Sequence, residues 1–169
     1  METKKKIIFL VDDDMTNLKK GKLVLTDTYD VYTIASGVLM FEMLKKVKPD
    51  LILLDISMPE MDGYEAISRL KENQDTVGIP VIFLTARKDE EDELEGLSSG
   101  AVDYISKPYT PSVLLKRIEL RLGVEEEKGQ LESERKELLK SQKALTKQVE
   151  DKHNMAVALK NALIENFKR

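Results

Sequence analysis

Ile7-Ile8-Phe9-Leu10-Val11-Asp12-Asp13-Asp14 places five apolar residues directly before three carboxylates. A continuous apolar run this short predicts a strand buried on both faces, as in a parallel sheet covered by helices. The same pattern recurs along the chain. Leu51–Leu54 runs into Asp55, Val81–Leu84 runs into Thr85, and Val102–Ser106 runs into Lys107-Pro108. In open parallel sheets ligands bind outside the carboxyl ends of the strands. Acids, a hydroxyl and an ammonium are therefore expected to converge on one pocket, and such a pocket suits a divalent cation and a phosphoryl group.

Helical patterns alternate with these strands. Met15–Leu25 reads as a helix with Asp14 or Thr16 available as its cap. Asp30–Ile34 reads as a second strand, and Ser36 caps a helix over Gly37–Val47. Pro59–Gly63 reads as a loop before a helix over Tyr64–Glu72, and an acidic helix is expected over Asp89–Ser98, closed by Gly100. Thr110 and Pro111 open a helix over Ser112–Leu122, with proline in the first turn. Five βα units in succession predict an α/β fold: a doubly wound parallel sheet with right-handed crossovers and helices on both faces.

Composition sets limits. The chain has 169 residues, which suits one domain, residues 1–122, with an appendage, residues 123–169. Hydrophobic residues make up 41%, enough for a core, and the 34% of charged residues points to a solvated helical segment. A net charge of −4 argues against general affinity for nucleic acid through its phosphates. The absence of cysteine excludes disulfides and thiolate metal sites and fits a reducing cytoplasm. No apolar run approaches the ~18 residues of a membrane span.

After Leu122 the chain contains no proline and one aromatic residue, Phe167. Leu131, Leu138 and Leu145 recur every seven residues; if they are d positions, Val149, Ala156 and Leu163 fall at a, and Leu159 at d. Arg135, Gln142 and Lys152 interrupt that seam. A helix of this composition predicts a parallel two-stranded coiled coil, with a single solvated helix as the alternative.

The acidic pair in Leu10-Val11-Asp12-Asp13, the segment Leu54-Asp55-Ile56-Ser57-Met58-Pro59-Glu60-Met61-Asp62-Gly63, the Leu84-Thr85-Ala86 step, and Tyr104 ahead of Lys107-Pro108 together resemble the receiver domain of two-component response regulators. The resemblance covers residues 5–122 and implies the chemotaxis-receiver fold, a five-stranded parallel sheet in the order 2-1-3-4-5. It also implies roles. Asp55 would be the phosphoacceptor. Asp13, Asp55 and the backbone carbonyl of Ser57 would hold Mg2+, an oxygen-seeking cation, and Asp12 would hold one of its waters. Lys107 would neutralise a phosphoryl oxygen and Thr85 would donate to another, so that catalysis is largely positioning and charge compensation. Tyr104 would be the aromatic switch, while Ser57 and Arg87 would border the path of the hydrolytic water. The implied donor is a sensor histidine kinase or a phosphotransfer protein. The implied role is a phosphorylation-controlled switch in the cytoplasm, with no enzymatic activity beyond its own phosphorylation and dephosphorylation.

His153, the only histidine, reads as a solvated helical residue, because its neighbours lack the patterns of phospho-carrier histidines. Nothing after Leu122 resembles a DNA-binding module. Lys147–Lys152 followed by Leu159–Leu163 resembles the linker helix of response regulators that carry an HD-GYP cyclic-di-GMP phosphodiesterase domain. Two alternatives to an autonomous switch follow: a coiled-coil scaffold with a vestigial pocket, or the regulatory half of such a phosphodiesterase. The intact Asp12, Asp13, Asp55, Thr85 and Lys107 set argues against the vestigial pocket.

Overall fold

The computed structural model describes residues 4–86 and 98–168. Its elements are β1 (Ile7–Val11), α1 (Met15–Leu25), β2 (Asp30–Ile34), α2 (Gly37–Leu44), β3 (Leu51–Leu54), α3 (Gly63–Glu72), β4 (Val81–Thr85), β5 (Asp103–Ser106) and α4 (Pro111–Asn166). All sheet pairings are parallel, and the strand order is β2-β1-β3-β4-β5. The acidic helix expected over 89–98 lies outside the described residues apart from Ser98, as does Arg87.

Strand alternation explains why short unpatterned apolar runs make this sheet. Phe9, Val11, Ile52, Leu54, Val81 and Phe83 point to one face, where Met40 of α2 and Ala66, Ile67 and Leu70 of α3 close over them. Ile8, Leu10, Leu51, Leu53, Ile82 and Leu84 point to the other, against Leu18 and Leu25 of α1 and Leu114 and Ile118 of α4. Both faces are covered, so neither parity of residue can be polar. Burying a side chain of this kind is worth roughly 1.5–3 kcal/mol, which makes the three central strands the main stabilising element.

Local signals place the helix starts. Asp14, not Thr16, caps α1: its carboxylate accepts from Thr16 N at 2.7 Å and Asn17 N at 3.4 Å. Ser36 Oγ accepts from Leu39 N at 3.1 Å, and Asp62 Oδ1 accepts from Glu65 N at 2.8 Å. These are N-cap geometries that satisfy otherwise orphaned amides. The helix expected to reach Val47 stops at Leu44, with Lys45 as its C-cap. Asp50 accepts from Ile7 N at 2.7 Å at the amino end of the sheet, the opposite edge from Asp55.

Asp103 is a buried carboxylate that sequence reading did not single out. It accepts from Arg117 Nη1 at 2.8 Å and from Arg121 Nε and Nη2 at 3.3 Å, tying β5 to the first turns of α4. The expected helix end at Leu122 is corrected: α4 continues through Gly123 and Gly129 to Asn166. A glycine inside a helix costs only about 1 kcal/mol, and the flanking Leu, Glu and Lys are strong helix formers. The chain divides into two units, Met1–Glu125 and Glu126–Arg169. In the second, the leucines of the heptad pattern are exposed.

Candidate functional site

Register brings the polar anchors together. Val11 of β1 pairs with Leu54 of β3, so the next residue of each strand is an aspartate, Asp12 and Asp55. Asp55 N donates to Val11 O at 2.9 Å, which locks the two strand ends side by side. On the other flank Thr85 of β4 pairs with Ser106 of β5, and Lys107 N donates to Thr85 O at 2.7 Å. Parallel pairing without a register slip thus puts every anchor at the carboxyl edge of the sheet. The Lys107-Pro108 peptide is cis.

The carboxylates of Asp12, Asp13 and Asp55 each offer an oxygen, and these oxygens lie within 4.8 Å of one another. Asp12 is 2% exposed and Asp55 7%, whereas Asp13 faces solvent. Lys107 Nζ pairs with Asp12 Oδ2 and lies 3.7 Å from Asp55 Oδ1. Asp12 also accepts from Asp14 N at 2.8 Å and from the Asn17 amide at 3.1 Å. No hydrogen bond reaches the Asp13 carboxylate among the described residues. Burial pushes the Asp55 carboxyl above the ordinary carboxylate range. Lys107 and the Ile56 N–H pull it back, while Asp12 and Asp13 add to the rise. An all-oxygen donor set with two more negative charges than one lysine can balance fits a hard divalent cation of the magnesium or manganese type.

Thr85 is fully buried at the end of β4. Tyr104 is buried in the core layer that also contains Phe83 and Ile79, paired across from Phe83 in the sheet. Ser57 is exposed, two residues past Asp55. A cavity of about 520 Å3 opens beside the cluster, bounded by Asp12, Asn17, Lys20, Leu84, Lys107 and Tyr109.

Two positioning features escaped the sequence reading. Asn17 sits one helical turn past Asp14 and holds Asp12 through its amide. The signal was available, since the third residue after an aspartate run at a helix start faces back toward it. Gly63 matters for space: a Cβ there would lie 2.7 Å from the Asp55 carbonyl oxygen and 2.7 Å from Ile56 Cα. Its own N–H donates to Ile56 O at 2.8 Å, closing the loop that follows Asp55. Only the fold shows that the start of α3 passes that close.

Comparison with known proteins agrees with this site. Residues 8–119 match the family model of the response regulator receiver domain. A probable cyclic di-GMP phosphodiesterase of Vibrio cholerae is 43% identical over 115 residues, covering 68% of this chain and 26% of that protein. The DNA-binding response regulator MtrA of Mycobacterium bovis is 36% identical over 123 residues, covering 72% of this chain and 53% of that protein. The chain thus spans about half or less of these curated relatives. The Vibrio cholerae chemotaxis protein CheY4 superposes with a TM-score of 0.65 at 28% identity, over 68% of this chain and 97% of that structure. With acidic cluster, buried threonine and lysine at the carboxyl edge of a 2-1-3-4-5 sheet, and a family match that takes in all five strands but for Ile7, this chain belongs to the response-regulator receiver family.

Proposed function

We propose that this receiver accepts a phosphoryl group on Asp55 from a phosphohistidine of a sensor kinase or phosphotransfer protein in the cytoplasm, and passes the change to its helical tail. The observation that carries this is the convergence of three carboxylates and Lys107 at the carboxyl edge of the sheet. A carboxylate oxygen of Asp55 forms the new bond to phosphorus while the P–N bond to the donor imidazole breaks, and the imidazole leaves with a proton. Asp13, Asp55 and the Ser57 carbonyl would hold Mg2+, with Asp12 holding one of its waters. The cation supplies the positive charge that lets two anions approach. Asp12 already accepts from three donors, Asp14 N, the Asn17 amide and Lys107 Nζ, which favours an indirect role for it and a direct one for the uncommitted Asp13. Lys107, on the rim beside Asp55, takes a phosphoryl oxygen. The Thr85 hydroxyl donates to another, and Tyr104, on β5 beside β4, follows Thr85.

Residues 1–122 form the receiver in this reading, and residues 123–169 a signalling helix. The exposed leucines at heptad spacing support a parallel homodimer through residues 127–165, of modest stability given Arg135, Gln142 and Lys152 in the seam. The test is incubation with a small phosphodonor and magnesium, followed by intact mass. One phosphoryl group should appear on the natural chain and none on Asp55→Asn. Full labelling of Asp55→Asn would overturn the assignment.

A further inference from the structure

The first turns of α4 are fixed along two lines. Leu114, Ile118 and Leu122 form the apolar one, buried in the cluster that also holds Leu18 and Leu25 of α1. Arg117 and Arg121 form the polar one, and both bond Asp103 of β5. Each arginine directly precedes a buried residue, Ile118 or Leu122, and so lies about 100° around the helix from it. An apolar stripe by itself tolerates a small turn of a helix about its own axis, because apolar attraction is non-directional. A second line of directed bonds does not. The two lines together set the rotational phase of α4.

The directed line ends on a single side chain with a third duty. Asp103 Oδ1 accepts from Arg117 Nη1 at 2.8 Å and, at the same distance of 2.8 Å, from Tyr104 N. One oxygen thus holds the backbone of Tyr104 and an arginine of the long helix. Asp103 is buried, so little water is at hand to replace a partner that leaves. Among the described residues β5 is the edge strand, paired with β4 alone, and Asp103 ties it to α4. The phosphoacceptor pocket is not involved. Asp103 stands four residues before Lys107, about 13 Å back along the strand.

We infer that Asp103 couples Tyr104 to α4. When Tyr104 follows Thr85, the shared carboxylate moves with its peptide and draws Arg117 and Arg121 along, turning α4 about its axis. A hydrogen-bonded helix is stiff to twist, so the turn is carried along α4 and changes which of its side chains face a partner. This rests on the phosphorylation of Asp55 proposed above, and the test separates the two. The chain has no cysteine, so Leu23→Cys on α1 with Leu120→Cys on α4, both exposed, takes two nitroxide labels. Excess phosphoramidate with magnesium should add one phosphoryl group by intact mass and shift the label separation by about 2 Å, the scale of helix shifts in switching proteins. With Asp103→Asn added, the phosphoryl group should still appear in full while the separation no longer responds. Arg117→Gln with Arg121→Gln breaks the same contact from the helix side and should behave alike, which covers a failure of Asp103→Asn to fold. An Asp103 that only stabilised the fold would leave the response to phosphorylation intact in both variants. That result overturns the coupling, as does a labelled chain that is phosphorylated without a shift, and either leaves Asp55 as the acceptor. A labelled chain that takes up no phosphoryl group overturns the phosphorylation reading and the coupling with it.

Discussion

Replacing Asp13 with asparagine should stabilise the protein when no divalent cation is present. The carboxylate oxygens of Asp12, Asp13 and Asp55 lie within 4.8 Å, and the single nearby ammonium, Lys107, is engaged by Asp12. Lys107 also lies 3.7 Å from Asp55, but no ion pair reaches Asp13 among the described residues, so Asp13→Asn removes chiefly its repulsion with Asp55. At 4.8 Å it amounts to about 3.5 kcal/mol for an effective dielectric near 20 and about 0.9 kcal/mol in bulk water. Asp13 faces solvent and Asp55 does not, so about 1–2 kcal/mol is expected for Asp13→Asn, a rise in Tm of roughly 3–8 °C in chelator. Saturating magnesium reverses the order. At a concentration a hundred times Kd, a bound ion adds about 2.7 kcal/mol to the natural chain, and Asp13→Asn forfeits most of it. The pH dependence has a definite sign. Asp55 has a raised carboxyl in the folded state, caused first by burial. The folded chain therefore binds more protons between the unfolded carboxylate value near 4 and the raised folded value, and stability falls as pH rises through that window. The advantage of Asp13→Asn should accordingly be full at neutral pH and fade toward pH 4. Urea denaturation at pH 7.5 and pH 4, with chelator and with magnesium, reads all of this. A destabilised Asp13→Asn in chelator at neutral pH, or equal stabilisation of both chains by magnesium, would refute the charge reasoning.

Gly63→Ala forces a Cβ to within 2.7 Å of backbone at Asp55 and Ile56, so a loss of about 1–3 kcal/mol in urea denaturation is expected, together with slower phosphorylation. Asn17→Ala frees Asp12 from its amide partner and should weaken magnesium binding about tenfold in a titration that follows stabilisation by the metal, with the fold retained. Asp103→Ala leaves Arg117 and Arg121 without their buried acceptor and should cost about 1–3 kcal/mol, read by denaturation, without changing the metal titration.

Much of the receiver was legible in the residue order. The runs Ile7–Val11, Leu51–Leu54 and Val81–Leu84 are too short and too uniformly apolar for anything but strands covered on both faces, and they form such strands. Asp14 and Ser36 announced their helices because capping is a contact within three residues. The anchors were also visible, since a polar residue ending a doubly buried strand must lie at the sheet edge. Tertiary structure decided what depends on distant segments meeting. The pairing of Lys107 with Asp12 spans 95 positions, and nothing local in Lys107-Pro108 specifies it. The crowding at Gly63 exists only because α3 starts against the chain after β3. The burial of Asp103, and its two arginines, follows from α4 packing across β5. The sequence signalled a helix end at Leu122 through Gly123, but neighbouring helix propensity outweighed that single residue. Local chemistry thus determined the elements and the identity of the anchors, because those energies are set within a turn or a strand. Which anchor holds which, and which carboxylate is left uncommitted, arises only when strand register closes the sheet.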